Sequence, residues 1–469
     1  MTFTRTFFVW TLLAASASLA VAACGDDGRA RDLGLADASD TDAGDASVEA
    51  SDGGGVVDAR APFDPADEPV TCTATPCAVE LVAGDAHFCA RMSDRTVRCW
   101  GSDNLGALGH GARDDGDDGA DAGWAVGAVH GLGDVVQLSA AGATTCARVE
   151  EAGLAARVVC WGGNEHGQLG LSADPAEADG DPHPDPTPVA LHRDLTPAHV
   201  AVGPRNACVV LASGGLVCWG GNEQGELARA GAKADPILAP GAADTGALVV
   251  ARPVLATHTT LALTKGGEVW SWGAVGGPLG AVGGRIASVS PDPLPARITE
   301  LANVSSLAVS SWVEDFESPE PVPPRAHACA IAGGEVYCWG QTYRAALCTG
   351  VPDSERTPAH APSYTAAWPQ QVAVSDELTC VRMTDGTVQC CGEDARGRLG
   401  TGKTRLFASG FVPATAFTGR AVRVATSNGA VCALVQGGTV ECWGSNANGE
   451  LGQATPDELD HPSPLPVRF

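Results

Sequence analysis

With 469 residues the chain has room for about three domains of ordinary size, unless one repeat architecture fills most of it. Its 5% aromatic content beside 59 Gly and 31 Pro describes a turn-rich, all-β protein and argues against a helical bundle. The 29 Lys and Arg face 56 Asp and Glu, a formal net charge of -27 that has the wrong sign for neutralising phosphates, and the 17 Cys are too many for a reducing cytosol unless they hold metal.

The N-terminus reads as an export signal over residues 1–23. Arg5 precedes an uncharged apolar run from Phe7 to Ala23, the order of an n-region and an h-region. The run is short and rich in Ala and Ser, which argues against a membrane span. It ends in Val21-Ala22-Ala23-Cys24, which resembles the lipobox of bacterial lipoproteins, so Cys24 is the expected lipid attachment site. The alternative is an ordinary secretory signal cleaved near the same alanines. Residues 24–71 read as a disordered tether: Gly25 to Pro69 holds thirteen acidic residues and three Arg with no apolar periodicity, too little to bury. Contact with a membrane is expected through the lipid alone.

From residue 72 to 469 the chain repeats itself. The phrase Cys-Trp-Gly stands at Cys99, Cys160, Cys218, Cys338 and Cys442, with the variants Ser271-Trp272-Gly273 and Cys390-Cys391-Gly392. Seven copies give a period of roughly 57 residues, in the range of propeller blades. Each copy opens with a strand-like alternation such as Val200-Ala201-Val202. A strand carrying Cys follows, then a turn such as Gly333-Gly334, Asp385-Gly386 or Gly437-Gly438, then a strand into Cys-Trp-Gly and an exit such as Asn164 to Gly170.

The run from Cys432 to Gly452 resembles the repeat of the RCC1-like superfamily, named for the regulator of chromosome condensation. The resemblance implies a seven-bladed β-propeller of four-stranded blades. Pro464 to Phe469 echo Pro186 to Leu191, and a strand left over at the C-terminus is expected to pair into the first blade and close the ring.

Six copies carry a Cys pair flanking the turn: Cys89 and Cys99, Cys146 and Cys160, Cys208 and Cys218, Cys329 and Cys338, Cys380 and Cys390, Cys432 and Cys442. In the fourth copy both places change together, to Leu261 and Ser271, as direct contact predicts. Opposed residues of antiparallel strands lie within disulfide reach, while Cys-x₂-Cys spacing and His clusters are absent, so structural disulfides are expected and metal ligation is not. Cys72 and Cys77 are expected to clamp the chain where it joins the ring. Cys391 stands in the place of the repeat Trp and Cys348 in that of the Gly of Leu-Gly; a bond between them and a pair of free thiols are both open. The repeated Trp residues read as core between blades, and His87 and His327, each two residues before a Cys, as repeated structural positions.

The loops between copies differ. Asp114 to Asp121 is an acidic run whose order does not match an EF-hand, so it reads as solvated rather than calcium-binding. Ser172 to Pro188 reads as an acidic, Pro-rich loop. Trp312 to Pro319 is an insertion in the fifth copy, and Trp312 and Phe316, aromatics among carboxylates, are the candidate partner contacts, set against a reading in which both fold onto the blade.

No Gly-x-Ser-x-Gly, His-Glu-x-x-His, Walker or dinucleotide phrase is present, and the Ser-x-Asp-x-Gly-x-Thr-Trp box of sialidase propellers is missing. No catalytic residue, metal or cofactor is expected. The superfamily's namesake is a nucleotide-exchange factor for a nuclear GTPase, and nothing here carries that activity over; secreted bacterial propellers that bind proteins, inhibitors of β-lactamase among them, are the nearer analogy. The expectation is a monomeric, lipid-anchored protein of the bacterial envelope that binds a protein or polysaccharide and no nucleic acid. The alternative is an extracellular lyase or hydrolase with its site on one propeller face.

Overall fold

The computed structural model describes residues 63–469, apart from 65, 67, 112–123, 175–178, 230–234, 278, 311–324, 351–353, 364–365 and 454. They belong to the second of two compact units, Asp58–Phe469; the export segment and Cys24 belong to the first and lie outside the described residues. Seven four-stranded antiparallel sheets follow one another, each a meander of consecutive strands. This is a seven-bladed all-β propeller. The blades cover residues 78–128, 135–188, 197–242, 250–297, 304–360, 369–413 and 421–466.

The first strand of each blade faces the central channel. These strands are Ala78–Ala83, Val135–Ala141, Pro197–Val202, Val250–Leu255, Val304–Val309, Pro369–Ser375 and Ala421–Thr426. Because strands alternate in direction, the first-to-second turns and third-to-fourth connections share one face, here the upper. The second-to-third hairpins and the links between blades lie on the lower.

Burial concentrates between blades, with one hydrophobic cluster at each of the seven joints. Six repeat Trp residues are fully buried there: Trp100, Trp161, Trp219, Trp272, Trp339 and Trp443. Each indole N–H donates to a carbonyl of the preceding blade. Trp161 reaches Ala107 (3.1 Å), Trp219 Gln168 (2.8 Å), Trp272 Glu226 (2.8 Å), Trp339 Val282 (2.9 Å) and Trp443 Arg398 (2.8 Å). A large apolar ring with one donor needs such a partner when buried. The Gly of Leu-Gly sits against the same indole: at Gly170, with φ +62°, a Cβ would lie 2.5 Å from Trp219 Nε1, so both backbone and space demand glycine.

The ring does not close as the sequence led us to expect. The last strand, Asp457–Pro466, pairs with its own blade, Cys442 opposite Leu465, and Gly127–Ala128 already fills the fourth place of blade one. The ring runs from an inner first strand to an outer last one, so among the described residues no strand is left over. Closure rests on the same joint as elsewhere: Trp100 Nε1 donates to the Glu450 carbonyl at 2.9 Å, and Phe469 packs edge-on against Trp100. Asn428 N also donates to the Asp85 carbonyl at 2.8 Å. A second correction concerns the loop read over Ser172 to Pro188. His183–Pro188 is the outer strand of blade two, where its prolines are tolerated because only one edge is paired.

Residues just ahead of Cys72 already lie on the ring. Phe63 packs against Trp368, Glu68 Oε2 accepts from Arg420 Nε at 3.0 Å, and Thr71 N donates to the Gln436 carbonyl at 2.8 Å. They form a strap along the lower face from blades five and six to blade seven.

Candidate functional site

In each stapled blade the two Cys face one another across the central strand pair, as in Cys208 opposite Cys218 and Cys432 opposite Cys442. Six disulfides join them, with Cα atoms 4.1 or 4.2 Å apart. Leu261 stands opposite Ser271 in blade four, and Ser271 Oγ donates to the Gly283 carbonyl instead. Cys72 is bonded to Cys77, and Cys348 to Cys391. The last bond joins blades five and six at the one joint without a repeat Trp.

His87 and His327 are buried, each with Nε2 at 2.8 Å from a Thr hydroxyl of the next blade, Thr145 and Thr379. Loss of solvation pushes their pKa down to about 4 and about 3, so both imidazoles are neutral near pH 7. They are joint residues, not proton carriers. Trp312 and Phe316 lie outside the described residues, as do Asp114 to Asp121. Ser310, ahead of that insertion, is held by reciprocal bonds with the backbone of His327 at 2.9 Å each.

The concave features of the ring include an upper-face cleft and the central channel. On the upper face a cleft of about 460 Å³ crosses blades one to three, with Asp85, Asn104, Thr144, His166 and Arg205 among its walls. Arg205 is held by Glu223 at 3.2 Å and lies 3.9 Å from Asp235. Beneath it Glu226 is fully buried, its carboxyl pushed up to about 7 by desolvation, and Oε2 accepts from Gln224 N at 2.7 Å. Gln168 and Glu450 hold the same turn in blades two and seven, accepting from His166 N and Asn448 N. The position is therefore a turn cap that happens to be ionisable. Across blades five to seven the charges are paired: Arg398 with Glu393 at 2.6 Å, Arg325 with Glu377 at 3.4 Å. Among the described residues no group of three or more His, Cys, Asp or Glu is placed to hold a metal ion.

The second feature is the channel, about 350 Å³, walled by the seven inner strands. Each inner strand carries a bulge at its second residue. A bulge re-aims the side chain beside it, and the third residue is polar in every blade: Glu80, Gln137, His199, Arg252, Ser306, Gln371 and Arg423. Four of these latch onto the next inner strand. Glu80 accepts from Leu138 N (3.2 Å) and Ser306 from Val372 N (3.1 Å), while the amides of Gln137 and Gln371 exchange two bonds each with Val200 and Val424. Reading the alternation as plain period-two strands missed this ring. Aligning the copies on Cys-Trp-Gly and inspecting the inner strand column by column finds it.

A family model described as the regulator of chromosome condensation (RCC1) repeat matches residues 78–107 and 198–226, which run through the first three strands of blades one and three. The chain is 26% identical over 223 residues to the Ultraviolet-B receptor UVR8 of Arabidopsis thaliana, covering 45% of this chain and 47% of that protein. It is 28% identical over 320 residues to the E3 ubiquitin-protein ligase HERC2 of Homo sapiens, 66% of this chain and 6% of that one. The chain thus spans about half the length of the first relative and a small part of the second. In solved structures it superposes with a TM-score of 0.63 at 15% identity on a chain from the crystal structure of the complex between Kap60 and yeast RCC1 (Prp20), covering 88% of this chain and 90% of that one. For human WBSCR16 the TM-score is 0.62 at 19% identity, covering 80% and 95%. These matches support placing the chain among RCC1-like repeat proteins.

Proposed function

We propose that this is a non-enzymatic binding module, exported to a bacterial envelope, held there by a lipid on Cys24, and presenting its propeller as a monomer to a protein or polysaccharide partner. The observation that carries the reading is covalent: all sixteen described cysteines are disulfide-bonded. Such density belongs to an oxidising compartment, and it supports a ring rigid enough to offer loops for recognition. Protein binding is the use made of this fold by Prp20p, whose structure was reported with its binding to Gsp1p and histones. For this chain the upper-face cleft is the first candidate surface.

Crosslinking of the mature protein in envelope fractions, compared with an Asn104→Arg/His166→Asp variant of the cleft, tests the module. Specific capture that the variant loses is expected; equal capture by both refutes the cleft. Labelling with a radioactive fatty acid tests the anchor, and label retained after Cys24→Ala would refute it. Turnover of a polysaccharide by the purified protein would overturn the non-enzymatic reading.

A further inference from the structure

We infer that the lower face carries a second docking site, a notch at the joint of blades three and four that takes an extended segment of a partner protein bearing a large apolar anchor and, five places on, a carboxylate. The notch lies on the face opposite the upper cleft and goes beyond the cleft as a binding surface of the module. It follows from what the strap does elsewhere on the same ring. Just ahead of an inner strand, a residue packs on the hairpin glycine of the preceding blade: Trp368 on Gly334, Arg420 on Gly386, Cys77 on Gly438 and Val249 on Gly214. The strap seats on three of these places in succession. Phe63 packs edge-on against Trp368 with ring centroids 6.1 Å apart. Glu68 meets Arg420 at the next joint, and Thr71 N and Thr73 N donate to the Gln436 and Gly437 carbonyls of the hairpin that Cys77 covers.

The other places ahead of an inner strand hold Asp134, Thr196 and Asn303, all polar, beside Val249, which is apolar and 56% exposed. Val249 forms one wall of a groove of about 440 Å³ whose walls include Leu191, Leu195, Leu211, Leu216 and Leu248. The joint of blades three and four thus repeats the seat that Phe63 takes at blades five and six, an apolar residue laid on a hairpin glycine. A groove of this kind is a docking surface by its composition, and a bulky anchor in such a seat carries most of the binding energy of a peptide. The strap also sets the spacing, since Phe63 and Glu68 are five residues apart and reach adjacent joints. A segment laid in the same direction from Val249 arrives at the hairpin of blade four. There Lys265 holds the place that Thr384 holds in blade six, where the Thr384 carbonyl accepts from Arg420 Nη2 at 3.2 Å. Lys265 is exposed and enters no ion pair among the described residues. In a chain of net charge -27, a lysine beside an apolar groove selects a segment with a carboxylate at that spacing.

Fluorescence anisotropy of a labelled peptide with the sequence of residues 62–70, Pro-Phe-Asp-Pro-Ala-Asp-Glu-Pro-Val, titrated with the purified, unreduced protein, tests the notch. Saturable binding is expected. It should weaken about tenfold or more in Val249→Asp, which sets a carboxylate under the anchor. It should weaken about twofold to threefold in Lys265→Gln, a difference that disappears at high salt. A peptide carrying Phe63→Ala should lose as much as Val249→Asp does, while Thr196→Asp, at the corresponding place between blades two and three, should bind like the unchanged protein. Thermal melting checks that Val249→Asp is folded, and Val249→Ser supplies a milder change that should still weaken binding. Absence of saturable binding overturns the notch. So does binding that a folded Val249→Asp leaves intact, since the peptide would then be seated where the strap lies. Self-association of the protein that Val249→Asp abolishes would make the occupant a second copy and overturn the partner reading. Capture through the upper face is read with the cleft variant, so failure of either assay leaves the other interpretable.

Discussion

The joint between blades five and six differs from the other six, and the difference shows what the repeat requires of a joint. At four joints the indole lies against a glycine in left-handed conformation, Gly109, Gly170, Gly284 and Gly400, and beside Trp272 the same place is taken by Ala228 at φ +49°; all six indoles donate their N–H to a carbonyl. At the seventh, Cys391 takes the place of the indole. Its sulfur lies 3.6 Å from the Ala346 carbonyl, the acceptor position of the other joints, and it is bonded to Cys348. Cys348 keeps φ +58° although it is not glycine. Ala228, beside Trp272, also carries a Cβ in this conformation, and at the exceptional joint the bonded pair of cysteines stands where glycine and indole stand elsewhere. A joint therefore needs a filled volume and one tie across the blades, and a hydrogen bond or a covalent bond can supply the tie.

The largest effect is expected from breaking the exceptional joint. Cys348→Ser/Cys391→Ser opens a loop with a sequence separation of 43 and leaves two buried hydroxyls, so a loss of about 4 kcal/mol is expected from loop closure. The denaturant midpoint measures it, and an unchanged midpoint sinks the idea that the bond does the work of a Trp. Cys391→Trp with Cys348→Gly should recover most of that loss by rebuilding the common joint.

Opening a staple within one blade should cost less. Cys208→Ser/Cys218→Ser removes a separation of 10, about 2 to 3 kcal/mol by the same model. If it equals the joint variant, closure length is not what sets the ranking. Next comes Trp219→Phe, which keeps most of the volume but leaves the Gln168 carbonyl without its donor, about 1 to 2 kcal/mol.

The last effect depends on pH and compares blade three with blade two. Glu226 has its folded pKa raised to about 7 from the ordinary 4.5. Its neutral form favours folding below the unfolded pKa, and that advantage is lost as pH rises through about 7. Glu226→Gln, the residue type of blade two, should leave stability unchanged near pH 4 and raise it at pH 8. His87 and His327 act in the opposite sense: with folded pKa values below the ordinary 6.5, they destabilise the ring as pH falls from 6.5 toward 4. A stability curve without a maximum between these limbs would contradict both assignments.

Much of the ring was legible because its signals are local and repeated. The turn glycines, the paired Cys and the Trp recur at fixed offsets, and the joint loss of both Cys at Leu261 and Ser271 pointed to contact without any coordinates. The upper-face cleft was not legible, because it is assembled from residues of several blades. Asp85 and Arg205 lie 120 positions apart in the numbering and share one cleft only because blades one to three stand side by side.

Sequence alone determined the number of blades, the pairs of opposed cysteines and the burial of the repeat Trp, since each follows from short-range spacing and from the fixed geometry of a hairpin. Tertiary structure decided how the ring closes, where the bulges aim the inner residues, and that Cys348 meets Cys391. Those depend on which strand ends up beside which blade. That choice is made by packing across joints, where distance along the chain carries no information about distance in space.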